Sequence, residues 1–162
     1  MNRRRVPLLE EIRQKRPFSS AQEETAVGLL RTADLLRRRV AAVLEPLGIS
    51  GQQYNVLRIL RGAHPEPLPT LEIAERLIER TPGITRLLDR LEAKSWVRRK
   101  RCSADRRQVH CWITESGLAL LRGLDRSVPA AIAACFTELS REEVERLASL
   151  LEQVRAAARE DG

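Results

Sequence analysis

The stretch RTPGITRLLDRLEAKSWVRRKRCSADRRQVHCWIT, residues 80–114, decides the fold of this chain and also carries its charge. It contains ten Lys or Arg residues against three Asp or Glu residues, a formal net charge of +7. The whole chain of 162 residues also has a formal net charge of +7, so the rest of the sequence is electrically balanced. Because most basic runs are solvated surfaces, the charge alone is weak support for a nucleic-acid partner. Whether the charge indicates such a partner depends on the helices and strands that carry it.

Two short helices are predicted at the beginning of this stretch and just before it. Apolar residues at helical spacing place the first over about residues 70–79 and the second over about 81–93. Thr81 as N-cap and Pro82 at the first helical position mark the start of the second helix. The tight turn between the helices, around residues 78–81, has the spacing of a helix-turn-helix.

A β-hairpin is predicted after the second helix. The segments WVRRKR and VHCWIT are separated by the turn-forming CSADRRQ, and Val109, Cys111 and Ile113 alternate with other residues in the second segment. Period-two alternation is typical of a strand with one face on the core. A helix-turn-helix followed by a hairpin predicts a winged helix.

Long amphipathic helices are predicted on both sides of this core. Ser followed three residues later by Glu or Gln forms a capping box at Ser20, Ser50 and Ser140. Apolar residues at helical spacing extend the first and last of these helices over about 20–46 and 140–158. Their apolar stripes exceed what a small winged helix can cover, so a two-fold dimer is the economical way to bury them. Packing within a single chain is the alternative.

Smaller elements complete the predicted fold, which is mainly α with a small β-hairpin wing. One or two helical turns are expected around residues 8–13, and residues 63–69, AHPEPLP, are expected to be a turn-rich connection. Gly62 is expected to end the helix that begins at Ser50, and Pro129 to interrupt the helix after the hairpin. The predicted domains are a basic N-terminal extension (1–18), an N-terminal dimerisation helix (19–48), a winged helix-turn-helix DNA-binding core (49–115) and C-terminal dimerisation helices (116–162).

Composition and motifs exclude several classes of protein. No apolar run approaches the roughly 18 residues of a membrane span. The N-terminus lacks the apolar region of a secretory signal, and the three widely spaced cysteines are typical of reduced thiols, so a cytoplasmic protein is expected. The sequence has no phosphate-binding loop, HExxH motif or nucleophile with a partner base, and His64 and His110 have no partner at metal-ligand spacing. No enzyme activity, cofactor or metal site is predicted.

The predicted winged helix places the basic residues on the two elements that contact DNA in such proteins. A recognition helix enters the major groove by its N-terminal end, and an arginine at a hairpin tip suits the narrow minor groove. Lys94 and Lys100 are expected to add phosphate contacts. The expected partner is therefore double-stranded DNA. The residues predicted to contact it are Thr81, Pro82, Gly83, Thr85, Arg86, Arg90, Arg98, Arg99, Arg101, Asp105, Arg106 and Arg107.

Three segments resemble the winged-helix core of the MarR family of bacterial transcription regulators, namely PTLEIAERL, TPGITRLLDRLEAKSWVRRK and SADRRQVHCWITESGLALL. The flanking helices also match the layout of that family, so the resemblance covers roughly residues 22–158. Its most specific part is the wing pattern formed by Asp105, Arg107, Thr114 and Gly117.

The resemblance implies roles for single residues. Arg107 would be the wing arginine in the minor groove, and Asp105 would orient the wing through a neighbouring arginine. Thr85 and Arg86 fall where the recognition helix of the family meets base edges and phosphates.

The resemblance also implies an assembly and a mode of regulation. Members of the family are homodimers whose first and last helices interlock, and they often bind small aromatic or phenolic anions. A homodimeric repressor of pseudo-palindromic operator DNA that a small aromatic anion releases is therefore expected, with no ligand site assigned. The chain departs from the family pattern at Ser95, where Gly is usual, and at Gly83, where Ser or Thr is usual.

Two other functions stay open at this point. The basic face of the winged helix could instead contact a protein or an RNA. Cys102 lies beside Arg101 at the wing, where oxidation could disturb DNA contact, so a thiol-based redox-responsive regulator is the second alternative. Cys111 and Cys135 are expected to pack in the core.

Overall fold

A computed structural model of the chain describes residues 6–79, 83–102 and 108–160. These residues belong to two compact units, Met1–Arg39 and Val40–Gly162. The described helices are α1 (Leu8–Glu11), α2 (Ala21–Leu44), α3 (Gly51–Ala63), α4 (Thr70–Arg76), α5 (Ile84–Ala93), α6 (Glu115–Leu124), α7 (Ser127–Ala133) and α8 (Arg141–Glu160). The described strands are β1 (Leu68–Pro69), β2 (Val97–Arg101) and β3 (Val109–Ile113).

The first unit consists of α1 and the N-terminal part of α2. The carboxylate of Glu11 in α1 accepts a hydrogen bond from Nε of Arg31 in α2 at 2.7 Å. Asp34 continues this charge network, because its carboxylate lies 2.9 Å from Nε of Arg38 and 3.8 Å from the guanidinium of Arg31. Partly exposed pairs of this kind contribute only about 0.2–1 kcal/mol each. The Glu11–Arg31 pair, which alone of these joins α1 to α2, therefore orients α1 more than it stabilises it.

The capping box predicted at Ser20 is formed only in part. The hydroxyl of Ser20 accepts a hydrogen bond from the backbone N–H of Glu23 at 3.1 Å. The carboxylate of Glu23, however, accepts hydrogen bonds from the hydroxyl and the backbone N–H of Ser19, both at 2.6 Å. These two bonds, the side-chain bond first, lower the pKa of Glu23. The boxes predicted at Ser50 and Ser140 are complete.

The three strands form one antiparallel sheet in the order β1-β3-β2. In β1, Leu68 pairs with Cys111 and Pro69 pairs with His110. The sequence prediction of a turn-rich connection over residues 63–69 is wrong at this point, because a strand of two residues is too short to show alternation. Pro69 is tolerated because β1 is an edge strand, where the missing N–H need not pair with another strand.

One hydrophobic core joins the helix-turn-helix, the hairpin and α6. Val56, Leu57 and Leu60 place α3 at its centre. The prediction that Cys111 and Ile113 face inward from the second strand of the hairpin is confirmed, since both are buried. The buried apolar side chains are Leu44, Ile49, Val56, Leu57, Leu60, Leu68, Ile73, Leu77, Leu87, Leu88, Leu91, Val97, Cys111, Ile113, Leu121, Leu124 and Val128.

Two helix ends differ from the sequence prediction. α3 continues one residue past Gly62. The break between α6 and α7 falls at residues 125–126, and Pro129 lies in the first turn of α7. Proline is tolerated there because the N–H groups of the first turn have no partner within the helix. α7 ends at Ala133, and Cys135 beyond it is exposed rather than packed in the core as predicted.

The Thr-x-x-Gly pattern after the hairpin fastens α6 to the sheet. The hydroxyl of Thr114 accepts a hydrogen bond from the backbone N–H of Gly117 at 3.1 Å and donates one to the carbonyl of Ser95 at 2.7 Å. A Cβ on Gly117 would overlap the carbonyl oxygen of Trp96 and lie 2.8 Å from Cγ1 of Ile113. Only glycine therefore allows the first turn of α6 to approach the beginning of β2 this closely.

Ser95 provides a stability prediction, since its φ of 57° lies in the left-handed region. A side chain there costs roughly 1–2 kcal/mol, part of which is offset by the larger unfolded-state entropy of glycine. We expect Ser95→Gly to raise the free energy of unfolding by about 0.5–1 kcal/mol, measured by urea denaturation. As a matched control, Ser149→Gly within α8 should lower it instead. An unfolding midpoint that falls in Ser95→Gly would contradict the explanation.

Candidate nucleic-acid interface

Helix α5 begins later than its sequence predicts. Its first residue is Ile84, and its N-cap is Gly83 with a φ of 118°. The expected start, with Thr81 as N-cap and Pro82 as first residue, is therefore wrong by two residues, and both of those residues lie outside the described ranges. A Cβ on Gly83 would meet open space, so this position favours glycine for its backbone angle and not for lack of room. Among the described residues no side chain caps this end of the helix.

Asn55 of α3 holds the turn between α4 and α5 in place by a hydrogen bond. α4 ends at Arg76, three residues before the predicted end at Glu79. The backbone N–H of Ile78 then donates a hydrogen bond to Oδ1 of Asn55 in α3 at 3.0 Å. This contact is not predicted from the sequence, because one Asn within a helical pattern carries no signal of a distant backbone partner. The bond leaves the side chain of Ile78 84% exposed.

The two faces of α5 have opposite character. Leu87, Leu88 and Leu91 are buried against the core. Thr85 and Arg86 are exposed in the first turn, and Arg90 is exposed one turn further on. This is the arrangement of a recognition helix, with one face that fixes the helix and one that can enter a groove.

The hairpin also has two different faces. Arg98 pairs with Trp112 and Lys100 pairs with His110, and because side chains alternate along a strand these four lie on one face of the sheet. Cys102 donates a backbone hydrogen bond to the carbonyl of Gln108 at 2.9 Å, which extends the pairing one step beyond the strands. The predicted contact residues Asp105, Arg106 and Arg107 lie outside the described ranges.

Arg99 joins the recognition helix to the wing. Its guanidinium lies 2.6 Å from the carboxylate of Asp89 and 2.7 Å from that of Glu92, both in α5. The backbone N–H of Arg99 donates a further hydrogen bond to Glu92 at 3.0 Å. Burial acts to lower the pKa of Arg99, but the hydrogen bonds of Glu92 and Asp89 outweigh it, and the pKa is raised. The sequence predicts Arg99 as a phosphate contact, and the structure shows that Nε and Nη2 of its guanidinium bind the α5 carboxylates.

Removal of this guanidinium should weaken the fold. We expect Arg99→Ala to lower the free energy of unfolding by about 1–2 kcal/mol, since charged hydrogen bonds are lost but both carboxylates are partly exposed to solvent. Arg99→Lys, which keeps the charge but not the fork of donors, should lose part of that amount. Chemical denaturation measures both variants. An Arg99→Ala chain as stable as the parent would show that the pairs do not hold the helix to the wing.

The remaining cations of the basic stretch have little within the described chain to neutralise them. Asp89 and Glu92, two of the three acidic residues of the stretch, are engaged by Arg99. Lys94 donates a hydrogen bond to the carbonyl of Gly48 and lies 4.8 Å from the centre of the Trp96 ring. Within the basic stretch, the exposed cations that form no ion pair with another described residue are Arg86, Arg90, Lys94, Arg98, Lys100 and Arg101.

The three thiols lie in different environments. Burial is the main cause that raises the pKa of Cys111, which makes this thiol less reactive at neutral pH. Cys102 is half-buried and Cys135 is exposed. In the described segments no three His, Cys, Asp or Glu side chains are grouped so that they could hold a metal ion. None of the described helices combines the length and apolar character that crossing a membrane requires.

Known proteins share this architecture. The family model described as "MarR family" matches residues 49–109. The transcriptional regulator MhqR of Bacillus subtilis is 32% identical over 107 residues, which are 66% of this chain and 72% of that protein. A MarR transcription factor from Planctomyces limnophilus is 36% identical, with a TM-score of 0.66 over 85% of this chain and 99% of that one.

A third similar structure was solved with nucleic acid bound. It is the MarR family regulator Sco3205 from Streptomyces coelicolor in complex with DNA, 25% identical, with a TM-score of 0.74 over 89% of this chain and 92% of that one. Residues 49–109, which the family model matches, contain the helix-turn-helix and strands β1 and β2. The cations of the basic stretch that form no ion pair lie in this region. The winged fold predicted from the sequence is therefore confirmed, and this protein is one of the DNA-binding transcription regulators, not enzymes, that make up the MarR family.

Proposed function

We propose that this chain is a homodimeric repressor that binds pseudo-palindromic operator DNA, with α5 in the major groove and the wing in the adjacent minor groove. The observation that carries the proposal is the unneutralised charge on α5 and β2, two elements that Arg99 joins through Asp89 and Glu92. Because these ion pairs fix the hairpin relative to α5, the two elements can enter two neighbouring grooves of one duplex.

Direct readout of bases is assigned to the first turn of α5. Thr85 and Arg86 are exposed at the end that a recognition helix presents to base edges. Arginine can bond the O6 and N7 atoms of guanine through two donors, whereas the threonine methyl suits the methyl group of thymine. Arg90 lies one turn further on and is assigned to the phosphate backbone.

The wing is assigned to the minor groove. β2 and β3 are paired up to Cys102 and Gln108, and the segment between these two residues contains Asp105, Arg106 and Arg107. The negative potential of a narrow minor groove attracts an arginine, and we assign that position to Arg107. Arg106 and Arg101 are assigned to nearby phosphates, and Asp105 to the orientation of the wing.

Uncovered apolar residues on α2 and α8 support a homodimer. Of the 24 residues of α2, Leu44 alone is buried, and Leu30 is 73% exposed. In the 20-residue α8, Leu150 is 49% exposed and Val154 is 53% exposed, and no described side chain of that helix is buried. Helices of this length with bare apolar stripes are not expected on a monomer surface. A second copy of the chain would cover them with two-fold symmetry.

Repression and its release rest on the family resemblance. A bacterial repressor binds chromosomal DNA, which lies in the cytoplasm, so we assign the chain to that compartment. We further propose that a small aromatic anion weakens DNA binding, by favouring a dimer in which the two α5 helices have the wrong separation for the operator. A screen of such anions for a shift in melting temperature and in DNA affinity tests this, and no effect from any of them would contradict it.

A salt titration of the parent chain with duplex DNA tests the proposed DNA contact. We expect binding to a random duplex at low salt that weakens steeply as salt is added, because each phosphate contact releases counterions. Fragments of the source genome selected by the chain should bind more tightly than the random duplex. If no duplex binds at low salt while a protein or RNA partner does, the basic face serves one of those partners instead.

A further inference from the structure

The outer face of the wing sheet carries a stacked arginine that the proposed function uses only as a charge. On this face, Arg98 of β2 lies opposite Trp112 of β3. The guanidinium carbon of Arg98 is 4.5 Å from the centre of the Trp112 ring. The rings of His110 and Trp112 also meet in an edge-to-face arrangement, with 6.1 Å between ring centres and an angle of 65°. The tryptophan is half-buried, so its ring is a fixed surface under an exposed arginine.

The contact with Trp112 leaves the hydrogen-bond donors of Arg98 available. An aromatic ring has no lone-pair acceptor that would engage the five N–H donors of a guanidinium lying over it. No described residue forms an ion pair or a side-chain hydrogen bond with Arg98. Lys94 differs in this respect, since it lies over Trp96 but also donates to the carbonyl of Gly48.

We propose that Trp112 is a positioning residue for DNA binding, which holds the guanidinium of Arg98 in the orientation that contacts a phosphate. This inference rests on the proposed DNA contact of the wing. Arg98 lies on a strand, away from the tip that is assigned to the groove, and a contact from that position reaches the sugar–phosphate backbone beside the groove. Its ligand is therefore a phosphodiester oxygen, and its contribution is independent of base sequence.

The physical advantage of Trp112 is pre-organisation. A free arginine loses rotamer entropy when a phosphate immobilises it, a cost of about 0.5–1.5 kcal/mol. A ring that already restricts the guanidinium reduces this cost before DNA arrives. The contact itself stays the same, so Trp112 should change affinity without changing how many phosphates are neutralised.

The test is a double-mutant cycle measured on the full chain with one duplex over a range of salt. Arg98→Ala should reduce the slope of log K against log salt by about one for each subunit. Trp112→Leu should weaken binding by about 5- to 150-fold for a dimer while it keeps the parent slope. Trp112→Phe, which retains an aromatic face, should recover most of the affinity. In the Arg98→Ala chain, Trp112→Leu should have no further effect.

Control variants separate this role from stability and from net charge. Arg58→Ala removes the same charge from a similar stacked pair, with the Arg58 guanidinium 5.9 Å from the Tyr54 ring, outside the basic stretch. We expect it to keep the parent slope. Melting temperatures show whether each variant folds, and Trp112→Ile, which removes the ring but suits a β-strand, replaces Trp112→Leu if that chain does not fold.

Two results would overturn the inference, and they differ from failure of the proposed function. If the parent chain binds no duplex, the DNA contact itself fails, and the inference fails with it. If the parent binds and a folded Trp112→Leu chain binds equally well, the ring does not position Arg98. The same conclusion follows if the effects of Arg98→Ala and Trp112→Leu simply add, since independent residues give additive free energies.

Discussion

A chain in which Leu150 and Val154 are both replaced by glutamate should be a monomer at concentrations where the parent chain is a dimer. Both side chains lie on the bare apolar stripe of α8. Because each side chain is already about half covered, its burial in a dimer would be worth about 0.8–1.5 kcal/mol, and an unpaired carboxylate in its place would cost several kcal/mol more. Two such sites in each subunit give four buried charges, which no interface of ordinary size would tolerate. Sedimentation or light scattering measures the change.

The same variant should also lose operator binding, because two half-sites then have to be occupied by independent chains. Circular dichroism should show an unchanged helix content, since both positions are partly exposed within one chain. The matched control is Ser149→Glu combined with Ala156→Glu, which adds the same charge on the opposite side of α8. A dimer that survives the first pair of substitutions, or a parent chain that is itself a folded monomer, would refute the homodimer.

The second large effect is expected at the wing. Arg107→Ala should cost the dimer about 2–6 kcal/mol of operator binding, since a good arginine contact is worth about 1–3 kcal/mol and each dimer has two. The unfolding free energy should change by no more than about 0.5 kcal/mol, as for most surface substitutions. Affinity for operator and for random duplex, with melting temperatures, gives both quantities.

Arg122→Ala on an exposed position of α6 is the matched control for the loss of one positive charge. It should leave operator affinity close to that of the parent. Arg107→Lys should fall between the parent and Arg107→Ala, because lysine keeps the charge but not the planar fork. Normal operator binding by a folded Arg107→Ala chain would mean that the wing does not enter the minor groove.

The sequence predicted most of the fold because its local signals agree with the packing. The capping boxes at Ser50 and Ser140 start helices in the structure, and the alternation in β3 places Cys111 in the core. The failures have physical reasons. β1 has only two residues, too few to show an alternating pattern. Thr81 and Pro82 predict the start of α5, but Gly83 follows them with a positive φ, so the helix begins only at Ile84.

The candidate site was predicted less completely, because pairing between distant residues leaves no local pattern. The sequence identifies Arg99 as one of many cations, but its partners Asp89 and Glu92 lie on another element. The turn contact of Asn55 and the stacking of Arg98 on Trp112 are likewise contacts between elements. Charge composition predicts the kind of partner, whereas only the fold separates cations that hold the protein together from those available to DNA.

The ion pairs of Arg99 have a consequence for how tightly one subunit can hold a duplex. Because they fasten β2 to α5, the wing and the helix act as two linked ligands of the same DNA. Once the helix has bound its groove, the wing is held near the adjacent groove at a high effective concentration. Its binding then loses little further translational and rotational entropy. A variant with a loosened Arg99 should therefore lose this avidity even though every DNA-facing side chain is still present.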